Sequence, residues 1–411
     1  MKLCKVIILL IFVQTSVAQK IYRTQPVSHD IKTVKIVVNG DAFAPPVIQI
    51  NSDEQITLKF DKLSIEEPRL RYRIIHCNAD WTASDISEIE YLNGFNDQLI
   101  EDYRFSENTT VNYIHYQLNF PNSATQLKLP GNYAVIVSDD SNPDNILLTA
   151  CFSVLDPKLR ISAAISGNTD IDINREHQQL AFEINHTALP LRDPMNELFV
   201  TVQQNNRMDN KRSNLKPTYI HPNRLVFEHN PLLIFEAGNE YRRFETVSRQ
   251  YNGLNIYETF FDTPFIHSLV YKDDFRSRKA RQYDEDQNGR FFVRNADAYD
   301  SDVEADYFMV HFTLSGQASW EEIFLNGEFT YNTFSDNNKM IFNQETNEYN
   351  GALLLKQGAY NYQYLAPALK GFSTSSVEGN YYDTENEYLI LVYHRAPGRR
   401  FDRLVGMLQI K

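Results

Sequence analysis

The chain has 411 residues, of which 42% are hydrophobic, enough for roughly two to four domains that each bury a core. Its 53 acidic residues outnumber 40 cationic ones, which gives a net charge of −13. This balance argues against nucleic acid or an anionic lipid surface as the main partner, because both are negatively charged themselves. It does not choose among proteins, glycans and small molecules.

The first 18 residues have the features of a secretory signal. Lys2 and Lys5 precede an unbroken apolar run over 6–13, and small residues lead to a cleavage site between Ala18 and Gln19. The run is much shorter than the roughly 20 apolar residues that span a bilayer. Removal of the two lysines leaves 38 cationic against 53 acidic residues, a net charge near −15. We therefore expect an exported chain with no membrane-inserted segment.

Cleavage would leave Cys77 and Cys151 of the three cysteines. Two cysteines do not make a disulfide framework, so hydrophobic cores must stabilise the fold. Their spacing does not decide whether they are bridged. The 26 Phe and 24 Tyr against 2 Trp favour strands, because flat rings fit a pleated, half-buried surface.

Strand patterns fill the segment that follows the signal. Short β-branched or alternating stretches, separated by turn-rich residues, cover 32–38, 47–50, 55–60, 69–75, 113–120, 133–137 and 147–155. About eight strands without a long helical pattern predict an immunoglobulin-like β-sandwich over 19–156. Asp156-Pro157 then reads as a linker.

The same style continues to the end of the chain. The predicted strands of a middle sandwich, 157–272, are 159–165, 180–184, 198–203, 224–227, 232–235, 257–261 and 267–271, with a long polar loop over 203–216. A charged connecting segment, 273–302, leads to a C-terminal sandwich, 303–411, with strands at 307–314, 322–325, 353–355, 360–365, 388–393 and 404–410. The predicted fold is all-β, with tandem immunoglobulin-like or early-set β-sandwich domains. No fixed repeat period is present, so a solenoid is not expected.

Residues 284–289 read DEDQNG, the first half of a calcium-binding loop. Such a loop needs a bidentate Glu at its twelfth position, which is Asn295 here. A hairpin with an Asn-Gly turn is the favoured interpretation, because that pair readily adopts positive backbone dihedrals.

Catalytic patterns are not found. His76 and Cys77 are neighbours on a predicted strand and point to opposite faces, so they do not form an activated thiol. The histidines do not pair at zinc-ligand spacing, and no nucleophile-elbow, phosphate-loop or dinucleotide motif occurs. The sequence therefore predicts a protein that is not an enzyme, with no catalytic, cofactor-binding or metal-binding residues.

Two local clusters are unusual in composition. The first is HCNADWTAS (76–84) with EYLNGF (90–95), which reads as a strand leaving the core, an Asx-type turn and an aromatic residue over the sandwich end. A packed corner is favoured there over a binding surface. The second is HRAPGRR (394–400), whose arginines in an acidic chain suit an anionic protein surface. The candidate partner contacts are Arg395, Arg399, Arg400, Trp81, Asp80 and Tyr91.

These clusters carry a family resemblance. Four segments resemble the N-terminal domain of the type IX secretion system plug proteins: HCNADW, EYLNGF, SENTTVNYIHYQLNFPN and GNYAVIV. Three later segments resemble the rest of the chain in that family: ADYFMVHFTL, GALLLKQGAYNYQY and EYLILVYHRAPGRRFDRLVG. The resemblance covers nearly the whole mature chain.

The resemblance implies a periplasmic protein without enzymatic activity that plugs the periplasmic opening of an outer-membrane translocon barrel. That barrel would be its partner and would hold it at the inner face of the outer membrane. Particular contact residues are not implied. Two alternatives stay open: a surface glycan-binding β-sandwich protein, and a hydrolase subunit with accessory sandwiches, for which no catalytic region is left. The contacting face, the number of copies and the trigger of release are not specified by the sequence.

Overall fold

The computed structural model describes residues 19–66, 69–316 and 322–411. The predicted signal peptide, 1–18, lies outside this part of the chain. Strands account for 46% and helices for 5%, so the predicted all-β class is confirmed. Among the described residues, no helix combines the length and apolar character needed to cross a membrane.

The first sandwich is built from consecutive strands. They are β1 (Gln25–Pro26), β2 (Ile31–Val38), β3 (Val47–Gln49), β4 (Ile56–Lys62), β5 (Leu70–Cys77), β6 (Leu92–Gly94), β7 (Gln98–Leu99), β8 (Tyr103–Phe105), β9 (Ile114–Phe120), β10 (Thr125–Leu127), β11 (Gly131–Asp139) and β12 (Ile146–Leu155), with helix α1 (Glu88–Tyr91) before β6. One layer runs β2-β4-β9-β8, and the facing layer runs β12-β11-β5-β7 with β1 and β3 beside β12. Phe120 of β9 stacks on Phe152 of β12 with ring centroids 5.9 Å apart, so the two layers share one core.

The second sandwich begins with the next strands. They are β13 (Arg160–Ser166), β14 (His177–Asn185), β15 (Leu198–Gln204), β16 (Tyr219–His221), β17 (Arg224–Phe227) and β18 (Ile234–Glu236), with helix α2 (Pro194–Glu197) and a 3₁₀ turn (Pro231–Leu233). One layer runs β13-β14-β17-β16, with β18 beside β14. The other layer contains β15, and the strands that complete it come from the C-terminal end of the chain.

An inserted sandwich separates the two halves of the second one. Its strands are β19 (Arg242–Glu245), β20 (Ile256–Asp262), β21 (Phe265–Val270), β22 (Asp273–Asp274), β23 (Phe291–Val293), β24 (Tyr307–Ser315), β25 (Phe324–Asn326), β26 (Ile341–Asn343), β27 (Glu348–Lys356), β28 (Gly358–Pro367) and β29 (Phe372–Ser373), with helix α3 (Ser301–Glu304) and a 3₁₀ turn (Glu328–Thr330). Phe244 of β19 contacts Phe312 of β24 edge to face at 5.4 Å, which joins its two layers.

The chain then returns to the second sandwich with β30 (Tyr388–His394) and β31 (Arg403–Ile410). β30 pairs along its whole length with β15, and Phe235 of β18 packs on Tyr388 of β30 at 5.3 Å. This grouping differs from the predicted boundaries at 272 and 302, because the last two strands share a core with 159–235. The charged segment 273–302 carries β22 and β23 of the inserted sandwich. Strands that are close in sequence usually pair, so reading along the chain cannot anticipate such a return.

The first and second sandwiches share one continuous sheet in the order β15-β30-β31-β12-β11-β5. β12 and β31 meet in parallel at Leu155 and Leu404. Asn132, fully buried beside this junction, donates to the Asn78 carbonyl at 2.9 Å and accepts hydrogen bonds from Tyr393 Oη and Ser153 Oγ at 3.0 and 2.7 Å. The shared sheet and its buried amide fix the orientation of these two sandwiches.

A buried polar network joins the first sandwich to the inserted one. Asp61 of β4 accepts hydrogen bonds from Lys356 Nζ of β27 and Tyr307 Oη of β24 at 2.7 and 2.6 Å. Its other oxygen lies 2.7 Å from His115 Nδ1 of β9. Burial alone raises the pKa of Asp61, but the Lys356 ammonium and the His115 hydrogen bond hold that pKa below its ordinary value. Asp61 is therefore a carboxylate that ties two sandwiches together.

The two cysteines of the described chain are free and buried. Cys77 on β5 lies opposite Asn132 of β11, and Cys151 on β12 lies opposite Ala134 of the same strand. β11 therefore runs between them, and two strand spacings amount to about 9.6 Å. A disulfide requires Cα atoms within about 7 Å, so these cysteines cannot be bridged without moving β11.

Candidate functional site

The end of β5 forms the tight corner that the sequence predicts. The Trp81 amide donates to the Asn78 carbonyl, and Asp80 Oδ1 accepts from the amide and hydroxyl of Thr82 at 3.0 and 2.6 Å. Trp81 has a positive φ of 67° and packs in a small cluster with Tyr22. The aromatic ring is mostly buried, so the predicted packed corner is confirmed.

The loop after β30 meets this corner, which the sequence does not predict. Asp402 is buried and accepts two hydrogen bonds from the Arg395 guanidinium, at 2.7 and 3.0 Å. The same carboxylate accepts from the Ala79 amide at 2.9 Å. Asp402 thereby joins the two candidate clusters, although more than 300 residues separate them along the chain.

Aromatic rings fill the space beneath the joined clusters. His76 contacts Phe401 edge to face at 5.4 Å and Tyr133 at 5.0 Å. Burial lowers the pKa of His76 to about 4, so the ring is neutral at pH 7. A Cβ at Gly131 would lie 2.5 Å from His76 Nε2, and the φ of +141° there is one that only glycine adopts readily.

The candidate contact residues differ in what they offer to a partner. Arg399 is exposed and forms no ion pair with any described residue. Arg400 is exposed, and its Nη2 donates to both carboxylate oxygens of Glu90 at 3.1 Å. Arg395 is half-buried by its pair with Asp402. We call the surface around Arg399 and Arg400 the arginine corner, and it contains the accessible cations of this set.

The remaining candidates are less accessible or less distinctive. Tyr91 is buried and donates to the Ile74 carbonyl at 3.0 Å, and burial raises its pKa. Trp81 and Asp80 line a cavity of about 640 Å³ between the three sandwiches, which Leu391 of β30 and Phe372 of β29 also line. Trp81 therefore faces space between the sandwiches rather than the outer surface.

Two carboxylates of the calcium-like loop are occupied by protein donors. Asp286 accepts hydrogen bonds from the Asn288 and Tyr241 amides, and Asp284 pairs with Arg243 at 2.5 Å. Burial raises the pKa of Asp286 to about 7, against the amide hydrogen bonds that favour the carboxylate. Within the described residues no cluster of three or more metal-ligating side chains occurs. The predicted Asn-Gly turn is confirmed, with φ of 52° at Asn288 and 82° at Gly289. It does not close a hairpin, since β23 pairs with β28 and not with a neighbouring strand.

An exposed aromatic hairpin formed by β20 and β21 is a surface that the sequence interpretation missed. The strand at 257–261 is predicted, but not its place at the sheet edge. Tyr257 and Phe261 are 60% and 61% exposed. A signal does exist: aromatic residues occupy both faces of YETFF, whereas a half-buried strand usually alternates apolar and polar residues.

Comparison with known proteins identifies the chain. Residues 31–156, which include the corner at Trp81, match the family model described as type 9 secretion system plug protein 1st domain. The chain belongs to the type IX secretion system plug protein family. The resemblance found in the sequence is thereby confirmed. Membership supports a role associated with type IX secretion and an envelope location, and the family is not a known enzyme family.

One solved structure is similar over nearly the full length. It is the crystal structure of a hypothetical protein from Parabacteroides merdae ATCC 43184, 44% identical to this family member, with a TM-score of 0.93. The alignment covers 95% of this chain and 100% of that chain. The arrangement of all three sandwiches is therefore shared with that protein. Comparison with curated proteins gives no match.

Proposed function

We propose that this plug family member closes the periplasmic opening of the outer-membrane translocon of type IX secretion. The match of residues 31–156 to the plug family's first domain carries the proposal. A barrel wide enough to pass folded protein would leak solutes unless a sizeable body obstructs it. A periplasmic location held by that barrel follows from this role, and the predicted cleavage before Gln19 agrees with it.

The contacts between the sandwiches support an obstructing role. A plug whose domains moved apart would leave gaps. Here the shared sheet and interfacial polar contacts hold the sandwiches together. Asp306 accepts from the Thr110 and Val111 amides at 2.6 and 3.1 Å, and Lys59 pairs with Asp302 at 2.6 Å. These contacts join the first sandwich to the inserted one at points beyond the Asp61 network.

The arginine corner is the contact surface that we propose for the barrel. Arg399 and Arg400 are exposed cations in a chain of net charge −13, so an acidic rim on the partner would attract them locally. Stable closure needs a buried interface of at least about 1,000 Å². Arginine is also among the residues most often found as interface anchors.

Co-purification from outer membranes tests the contact surface. Reversing the charge with Arg399→Glu and Arg400→Glu is expected to reduce recovery of the barrel while the melting temperature stays nearly unchanged. Arg160→Glu is the matched control, because Arg160 is also exposed and has no ion pair among the described residues. Equal barrel recovery from wild type, double variant and control would exclude the arginine corner. Absence of any barrel with the wild type would exclude the proposed function.

A further inference from the structure

Strand β20 has an open side. The sheet of the inserted sandwich runs β20-β21-β24-β27-β26, and within the described residues β21 is the one strand that pairs with β20. An unpaired edge presents backbone N–H and C=O groups that another strand can bind. The pairing with β21 is regular from Glu258 to Asp262, beyond an irregularity at Ile256. A regular stretch of this kind can accept a further strand.

Large aromatic side chains are concentrated along this edge. Tyr257 and Phe261 are mostly exposed, and Phe260 is 40% exposed although it stacks on His267 at 5.3 Å. Tyr271, also exposed, packs edge to face with Tyr257 at 5.6 Å. Scattered exposed apolar residues need no explanation, but a contiguous group marks an interaction surface. Aromatic rings are also common anchors of protein interfaces.

Two carboxylates flank the central ring on one face of β20. Glu258, Phe260 and Asp262 occupy alternate positions, so they share a face. Neither carboxylate forms an ion pair with a described residue, and residues 256–270 contain no Lys or Arg. The face therefore presents an acidic, aromatic, acidic pattern.

This pattern disfavours a second copy of the chain as the occupant. Antiparallel pairing of two copies centred on Phe260 would place Glu258 of each copy opposite Asp262 of the other. Like charges directly opposite each other destabilise strand pairing, whereas opposite charges stabilise it. A strand with basic residues on both sides of an apolar one would complement the same face.

We propose that the free edge of β20 binds an extended segment of a partner protein by strand addition. The segment carries Lys or Arg at alternate positions on either side of an apolar side chain. Its backbone pairs with β20, its apolar side chain packs beside Phe260, and its cations face Glu258 and Asp262. The inference goes beyond the proposed function. It concerns the kind of peptide segment that β20 binds, whereas the proposed function concerns closure of the translocon.

Binding of short synthetic peptides tests this proposal directly. A peptide with a Lys-Thr-Phe-Thr-Lys core is compared with the same peptide carrying Glu in place of both Lys. A third peptide keeps the Lys residues but has N-methyl groups along its backbone, which removes the pairing donors. Binding to the full-length protein is followed by fluorescence anisotropy, with hydrogen–deuterium exchange to locate the protected amides.

The basic peptide is expected to bind and to protect those amides of 258–262 that do not pair with β21. Two cross-strand charge pairs contribute roughly 0.2–1 kcal/mol each, so Glu258→Gln with Asp262→Asn should weaken binding about two- to thirtyfold. The N-methylated peptide should not bind. Four results would each overturn the proposal. They are equal binding of the basic and acidic peptides, protection of amides outside β20, unaltered binding of the N-methylated peptide, and self-association of the protein through β20. Failure of the plug function would leave these outcomes unchanged.

Discussion

Removal of one member of the Asp61 network is expected to separate the first sandwich from the inserted one. The perturbations are Asp61→Asn and Lys356→Met, each of which leaves its partner buried without the opposite charge. Both side chains are only 1% exposed, and Nζ lies 2.7 Å from Oδ2. Lys356 would keep the Asp302 carbonyl at 2.7 Å and the Tyr113 ring at 4.1 Å. Neither group neutralises the ammonium.

The magnitude follows from this burial. Removing one partner of a buried ion pair destabilises a protein by about 3–5 kcal/mol, mainly because an uncompensated charge remains. The double variant removes both charges, so it should be more stable than the sum of the two single effects by about 0.5–3 kcal/mol. Lys59→Met is the matched control: its pair with Asp302 spans the same two sandwiches but is about a quarter exposed. It should change stability by less than about 1 kcal/mol.

Equilibrium urea unfolding by circular dichroism measures these differences. Hydrogen–deuterium exchange at the Thr110 amide, which donates to Asp306 across the same interface, reports whether the sandwiches come apart. The single variants should show faster exchange there and an earlier or divided unfolding transition. Single variants no less stable than Lys59→Met, or a strictly additive double variant, would refute the reasoning.

Three further predictions concern titration, thiols and metal. Burial lowers the pKa of His76 to about 4, so the unfolded chain binds the proton more tightly and stability should fall as pH drops below about 6.5. Wild type should lose about 2 kcal/mol more than His76→Gln between pH 7.5 and 5, and parallel urea midpoints would contradict this. Burial raises the pKa of Cys77 to about 12 and also raises that of Cys151. Both thiols should therefore react with Ellman's reagent only after denaturation. Rapid reaction of the native protein, or a disulfide in mass spectrometry, would count against this prediction. Calorimetry should show no calcium affinity tighter than about 10⁻³ M, and micromolar binding lost in Asp284→Ala would reverse that expectation.

The local structure was largely predictable because each strand has its own pattern. The alternation in Tyr307–Ser315 and the β-branched run in Ile31–Val38 specify strands without any knowledge of their partners. The corner at Trp81 was predictable for the same reason, since an Asx-type turn depends on neighbouring residues. Features of this kind are encoded within a few positions of the chain.

The assembly of strands was not predictable in the same way. β30 pairs with β15 across an inserted sandwich, and Asp402 binds both Arg395 and the Ala79 amide. Such contacts depend on which surfaces the complete fold brings together, and no spacing rule links the residues involved. The exposure of Phe261 is likewise a consequence of β20 being the last strand of its sheet.

Outer-membrane permeability in the presence and absence of the translocon tests the central claim most directly. Cells lacking this protein should become sensitive to large antibiotics that the intact outer membrane excludes. The sensitivity should disappear when the translocon barrel is deleted as well, because the leak passes through that pore. Unchanged permeability after deletion, or a leak that persists without the barrel, would contradict the account.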